Sequence, residues 1–197
     1  MTNYFTGDEH FDDEGGILRY CNRPFDNGTH MINDIINRHN EVVKSGDTVH
    51  HIGDFFFKDP ADISLISSIV RALNGTHILI LGNHDKTDPF KLVNAGFRSV
   101  HTSLELVIDG HKVVCVHDSS AWTVVSSDVI FLHGHIHKLY QSIPPQKVVN
   151  VGVDVWDYYP VSFEQILKTL QNPSKITFNK WYENNKLSLM GNLFLLF

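Results

Sequence analysis

Cysteine is nearly missing from this chain: Cys21 and Cys115 are the only two in 197 residues. Two thiols so far apart do not make a disulfide scaffold, so a reducing setting, the cytoplasm, is expected. Long apolar runs are also absent. The longest fall well short of the roughly 20 residues that cross a bilayer, so no membrane partner is expected. The opening MTNYFTGDEH has neither the basic nor the apolar region of a secretion signal. Lysine and arginine form no cluster, and 16 of them against 22 acidic residues leave a formal net charge of −6. Such a surface is poorly suited to gripping nucleic acid by its own charge. It does not exclude a phosphate-bearing substrate, because bound cations can supply positive charge locally. Repeats, low-complexity tracts and linker-like stretches are lacking too, so residues 1–197 are expected to form one domain.

Histidine, at 13 residues, is the unusual presence. Its meaning depends on where it falls among the apolar segments. Asn3 to Thr6 reads as a strand that breaks at Gly7-Asp8-Glu9-His10. Met31, Ile32, Ile35, Ile36, His39, Val42 and Val43 follow helical spacing, with Thr29 or Asp26 as cap. Thr48 to Ile52 is a strand breaking at Gly53-Asp54. Asp59-Pro60 opens a helix whose face is Ile63, Ile66, Ile69, Val70 and Leu73. His77 to Leu81 is a strand ending in Gly82-Asn83-His84-Asp85, and Thr87-Asp88-Pro89 starts a short helix. Later, Leu104–Ile108 and Lys112–Val116 flank Asp109-Gly110, a hairpin signal, and run into His117. Val129–Leu132 breaks at His133-Gly134-His135-Ile136-His137, Lys147–Val155 is strand again, and Ser162 to Gln165 is a capping box opening a helix to about Gln171. The apolar Leu193–Phe197 calls for cover by the core or by a second copy in a homodimer. Two packed sheets with helices outside would bury both the early alternation and the later hairpins.

Strand ends are where ligands gather in open α/β sheets. The five breaks would therefore bring Asp8, His10, Asp54, Asn83, His84, Asp85, His117, His135 and His137 into one cluster. Carboxylate and amide oxygens suit hard cations and imidazole suits softer ones, so the mixture points to a borderline divalent ion and not to calcium. There are too many candidates for one tetrahedral centre. Two ions sharing a carboxylate would use them all, and such sites hold a hydroxide between the ions that attacks phosphorus in line.

Asp8-Glu9-His10, Gly53-Asp54, Gly82-Asn83-His84-Asp85, His117 and Gly134-His135-Ile136-His137, in this order, resemble the motif set of the calcineurin-like metallophosphoesterases. Arg23-Pro24-Phe25, His51-Ile52-Gly53-Asp54 and Asn150-Val151-Gly152-Val153-Asp154 resemble a compact bacterial and phage subgroup of them. The resemblance implies a four-layered α/β/β/α sandwich of two mixed β-sheets flanked by helices. It implies that Asp8, His10 and His137 hold one metal, that Asp54 bridges, and that Asn83, His117 and His135 hold the other. His84 would face substrate as proton donor or oxyanion stabiliser, with Asp85 orienting it. The cofactor would be two divalent ions, manganese first, with iron, zinc, nickel or cobalt as alternatives. The substrate would be a phosphodiester or phosphomonoester, small or nucleotide-like. The chain departs from the pattern at Gly7, where serine is common, and at Asp118-Ser119-Ser120 after His117. It departs again at Phe11-Asp12-Asp13, where relatives have Phe-Gly-His, which is expected to make the rim more acidic.

Several residues have plainer readings. His30, His39, His77, His101 and His111 read as surface or strand-edge residues, and His50 and His51 as packed inside a strand. His133 could support its neighbours. Arg23 is a candidate phosphate clamp, and Asp154 either holds a ligand histidine or caps a loop. Two other functions are conceivable on this pattern: a non-catalytic interaction module, as the retromer subunit of that fold illustrates, and a nuclease acting on nucleic-acid ends. The first is disfavoured by retention of Asp54, Asn83, His84 and His117, the second by a short acidic chain with little room for a capping domain. The Arg-Gly of the protein Ser/Thr phosphatases is absent after Gly53-Asp54-Phe55-Phe56-Phe57.

Overall fold

Short apolar strands alternating with amphipathic helices in the first hundred residues form the parallel part of one sheet. The computed structural model describes residues 1–13, 15–58, 62–118, 120, 121, 126 and 128–172. Strands β1 (Asn3–Thr6), β2 (Thr48–Ile52), β3 (Thr76–Ile80) and β4 (Ser99–His101) lie side by side and parallel. Parallel neighbours need a crossover, here supplied by α2 (Gly28–Val42), α3 (Ile63–Ala72) and α4 (Pro89–Ala95). A five-residue helix, α1 (Gly16–Tyr20), precedes α2. The second sheet contains β5 (Leu104–Ile108), β6 (His111–Cys115), β7 (Ile130–His133), β8 (Ser142–Ile143) and β9 (Val148–Asn150), in the order β5-β6-β7-β9-β8. Its inner strands β6, β7 and β9 are parallel, and both edge strands are antiparallel. The chain then returns to the first sheet, where β10 (Val161–Ser162) pairs antiparallel with β1, and ends its described part in α5 (Phe163–Gln171). The expected α/β sandwich of two mixed sheets flanked by helices is thus the observed one.

Side chains alternate across a strand, and β3 shows what that does. Ile80 joins Phe5 and Ile52 against Val113, Cys115, Ile130, Leu132 and Val149 of the second sheet. Its neighbour Leu79 joins Met31, Ile35, Ile66, Ile69 and Val70 of the helices. The first sheet is therefore apolar on both faces, as a parallel sheet covered on both sides must be.

Helix starts differ slightly from expectation. Asn27, and neither Asp26 nor Thr29, caps α2 by accepting from the His30 N–H at 2.9 Å. Asp62 caps α3. Asp59 and Pro60, expected to open that helix, lie outside the described residues, as do Ser119 and the terminal Leu193–Phe197. Asp88 with Pro89, and the Ser162 capping box, start α4 and α5 as read. The strand expected over Lys147–Val155 stops at Asn150 and gives way to a 3-10 turn, Val153–Val155. Just beyond the strand, Gly152 passes so close to Asp8 that a Cβ there would meet its carboxylate at 2.5 Å. Among the described residues no helix is long and apolar enough to cross a membrane.

Phe55, fully buried, makes edge contacts with Phe11, Phe97 and His51 at centroid distances of 4.9, 5.1 and 5.0 Å. Phe55→Ala should cost about 3–5 kcal/mol by opening a cavity that these rings cannot refill. Urea unfolding checks this, and a loss below about 1 kcal/mol would show that the cluster collapses around the gap.

Candidate metal centre

Three parallel strands of each sheet point their carboxyl ends to the same edge. The residues after β1, β2 and β3 meet there with those after β6, β7 and β9. Among the described residues three groups of possible ligand atoms result; two are made of expected ligands, Asp8 with His10 and His137, and Asp54 with His117 and His135, and a third joins His137 to Cys21 and Asp154 behind them. Within each group the atoms lie within 4.8 Å of one another. One oxygen stands between the first two groups: Asp54 Oδ2 is 3.2 Å from His117 Nε2 and 3.8 Å from His10 Nε2. Asn83 Oδ1 lies 2.8 Å from His135 Nδ1 and 3.1 Å from His117 Nε2. All seven residues expected as ligands therefore converge.

The chain reaches this geometry by accepting local strain. Asp8, His10, Asp54, His135 and His137 all adopt positive φ, between 48° and 75°, a conformation costing about 1–3 kcal/mol per residue unless its surroundings impose it. The surroundings do so through bonds that cross between loops. The His135 N–H donates to both oxygens of Asp8 at 3.0 Å, and the His84 N–H donates to Asp54 Oδ1 at 2.9 Å. The glycines before Asp54 and Asn83 make the approach feasible. A Cβ on Gly82 would sit 2.1 Å from Asp54 Oδ1, and one on Gly53, itself at φ 78°, would sit 2.2 Å from His117 Nδ1.

The electrostatics fit a cation. His10 is buried with neither ring nitrogen hydrogen-bonded. Burial, with His137 alongside, holds its pKa well below the usual value, so it presents an unshared lone pair. An unpaired buried polar group costs about 1–3 kcal/mol, and a metal ion is the partner that would relieve it. His117 Nδ1 faces the Ile52 carbonyl at 2.9 Å and so carries a proton, leaving Nε2 toward Asp54. Burial opposes charge on this ring, yet its hydrogen bond to Asp54 and the nearby Asp8 raise its pKa to about 9. The carboxylates thus favour positive charge where the second group lies.

The chain is 31% identical over 175 residues to the uncharacterized protein MJ1445 of Methanocaldococcus jannaschii, an alignment covering 85% of this chain and 90% of that one. This chain belongs to the MJ1445 family. A protein of unknown function from Aquifex aeolicus, AQ665, shares the fold at a TM-score of 0.67 and 21% identity, over 85% of this chain and 98% of that one. YfcE, a phosphoesterase from E. coli, aligns over 77% of this chain and 78% of its own at 10% identity, but its TM-score of 0.38 makes the likeness too remote to identify an activity. No protein-family model matches the chain.

Behind the ligands, this MJ1445-family chain corrects several expectations. Arg23 does not face a substrate. Its side chain is fully buried, and all five of its N–H donors are occupied. Nε and one Nη bond Asp154 at 2.9 and 2.8 Å, and the others reach the carbonyls of Asp8 and Glu9 and the sulfur of Met31. Asp154 in turn stands 3.0 Å from His137 Nδ1, which turns Nε2 of that ring toward Asp8 and His10. Asp85 accepts from the backbone N–H of Gly82, Asp54, Phe55 and Phe56, so it holds two loops together and makes no bond to the His84 ring. The His84 ring belongs to neither ligand group. It lies edge-on to His10 at 5.4 Å and against Phe57 at 4.5 Å.

Asp12 and Asp13 do not sharpen the acidity of the rim, because both are buried and accept from backbone N–H groups of residues 57–58 and 15–17. An aspartate two and three residues before a glycine pair is a turn-capping signature, and that was the signal available in the sequence. His39 and His77 are buried, not surface residues. His77 Nδ1 lies 3.1 Å from His51 Nε2, and His51 Nδ1 lies 2.6 Å from Glu9, anchoring the segment between Asp8 and His10. His133 bonds the Gly134 carbonyl and the Tyr140 hydroxyl and stays outside the ligand set.

Removing one member of a buried ion pair strands the other's charge, at about 3–5 kcal/mol. Arg23→Met should therefore destabilise the protein by that amount, and adding Asp154→Asn should recover part of it. Urea unfolding of both single variants and the double variant measures this. Strict additivity would mean that the pair is not coupled.

Proposed function

We propose that this chain is a metal-dependent phosphoesterase with a two-metal centre, acting on small or nucleotide-type phosphate esters. The observation that carries this reading is Asp54, grouped with His117 and His135, whose Oδ2 also stands 3.8 Å from His10 of the group formed with Asp8 and His137, while Asn83 Oδ1 lies beside both His117 and His135. The likeness of the ordered motifs to calcineurin-like metallophosphoesterases supports it. Divalent ions held there, manganese first, with iron, zinc, nickel or cobalt as alternatives, would supply Lewis acidity to the phosphoryl oxygens and activate water. The protein's own part is positional. Arg23 and Asp154 hold the Asp8 and His137 loops in register, and Asp85 locks the turn that presents Asp54. His84, outside both ligand groups and half-buried beside Phe57, would meet substrate and protonate its departing oxygen or stabilise developing charge.

Elemental analysis of the manganese-loaded protein should find two ions per chain, and hydrolysis of aryl phosphates should vanish on chelation and return with manganese. Asp54→Asn, which keeps the volume but removes the shared charge, should lower both stoichiometry and rate. Hydrolysis that persists in demonstrably metal-free protein would falsify the metal-dependent reading.

His84→Ala should retain both ions while losing turnover. General acid help is worth roughly 10²–10⁴-fold, and it matters most for a poor leaving group. The loss should thus be much larger on alkyl esters than on nitrophenyl esters. Equal losses reject the acid role, and loss of metal makes His84 a ligand.

A further inference from the structure

The ligand framework leaves open what holds the His84 ring. Asp85, the neighbour expected to orient it, gives both oxygens to the backbone N–H groups of Gly82, Asp54, Phe55 and Phe56. The His84 backbone is fixed, its N–H donating to Asp54 Oδ1 at 2.9 Å. Its imidazole is half-buried and among the described residues has ring neighbours in place of hydrogen-bond partners. Phe57 lies 4.5 Å away between centroids with 32° between the planes, and His10 lies edge-on at 5.4 Å. A ring pair of this kind favours the paired arrangement about two- to tenfold.

Phe57 is in turn held from behind. Asp12, buried, accepts from the N–H groups of Phe57 and Lys58. The loops that carry the two residues are tied together beside the site, His10 N–H to the Asp54 carbonyl and Phe11 N–H to the Phe55 carbonyl, both at 3.0 Å. Asp12 stands where the resembling family has glycine, which has no side chain to make these bonds. Phe55 and Phe56 enter the core, whereas the third ring of the run stays 43% exposed, with a face toward His84 and an approach of 5.9 Å to His10. An apolar ring left outside the core on a pinned backbone is a support whose orientation is set before any ligand arrives.

We propose that Phe57 is the positioning residue of His84: its ring, anchored through Asp12, holds the imidazole in the orientation that meets substrate, the part expected of the Asp85 carboxylate. The inference rests on the phosphoesterase reading and deepens it, because it says what holds the proposed acid. Phe57 acts through His84 and not on a metal ion.

Phe57→Leu removes the ring but keeps an apolar side chain at a half-exposed place, so the fold should tolerate it. Alkyl-ester turnover should fall by up to roughly 10²-fold, the cost of misplacing a catalytic group by about 1 Å. The loss should lie in kcat, with KM and metal content unchanged, and should discriminate between alkyl and nitrophenyl esters as His84→Ala does. Phe57→Tyr, which restores the ring, should recover the rate. Combined with His84→Ala, Phe57→Leu should add nothing, since a positioning residue has no effect once the group it positions is gone. A second readout needs neither metal nor turnover. In metal-free protein the three-bond couplings of His84 should report one χ1 rotamer in the unaltered chain and in Phe57→Tyr, and an average over rotamers in Phe57→Leu. A Phe57→Leu protein that keeps its alkyl-ester rate, loses it through KM or metal content, or adds its loss in full to that of His84→Ala overturns the positioning role. So does a His84 ring that keeps one rotamer without Phe57. In those cases hydrolysis by the unaltered protein leaves the phosphoesterase reading standing. If the unaltered protein hydrolyses no ester, that reading falls, and the couplings alone decide whether Phe57 orders His84.

Discussion

The buried pair Arg23–Asp154 is the interaction on which the site depends. Its two members belong to opposite halves of the fold, Arg23 to the connection after β1 and Asp154 to the turn after β9. Each carries a second task. Arg23 also binds the carbonyls of Asp8 and Glu9, and Asp154 also faces His137 Nδ1. The ion pair therefore fixes one sheet's first loop against the other sheet's last, with a candidate ligand, Asp8 or His137, on either side. A guanidinium suits this better than an ammonium, because its rigid fork can satisfy five acceptors in fixed directions. Burial works against the Asp154 carboxylate, but Arg23 pulls its pKa well below the usual range, so the pair stays charged.

Strain and closeness are consequences of the same seam. Where the carboxyl edges of the two sheets abut, five candidate ligand residues adopt positive φ. They hold that conformation because the loops hydrogen-bond to each other more than to themselves: His117 to the Ile52 carbonyl, His135 to Asp8, and Val153 to the Gly7 carbonyl. The candidate ligand cluster thus rests on loops of both sheets.

What could be read without the structure follows from what is local. Asp8, Asp54, Asn83, His117 and His135 each end an apolar run, so their place at one edge is legible from strand periodicity and order. The two-sheet sandwich is legible for the same reason, since hairpin and crossover patterns separate near residue 100. Arg23 is a different case. Whether an arginine reaches outward or inward depends on partners at positions 8, 9, 31 and 154, which no local pattern reveals. His39 and His77 fail as surface readings for a similar cause: both rings pack beside His51 of β2, and His39 also faces the Asn74 carbonyl at 2.8 Å, contacts that lie outside any local pattern. β9 ends at Asn150, just before Gly152 passes beside Asp8, more than 140 residues earlier, and the apolar stretch Lys147–Val155 gives no warning of that approach.

In this acidic chain most of the carboxylates at the shared edge are engaged by the protein itself. Asp85 has four backbone N–H donors, Asp13 three and Asp12 two. Asp154 is paired with Arg23, while Asp8 and Asp54 face imidazoles and the backbone N–H groups of His135 and His84. These six carboxylates stand within or behind the loops of one edge, and each is engaged locally by backbone dipoles, by a cation or by an imidazole. A net charge summed over the sequence therefore says little about the field a ligand meets at that edge. What governs it is which charges are turned inward.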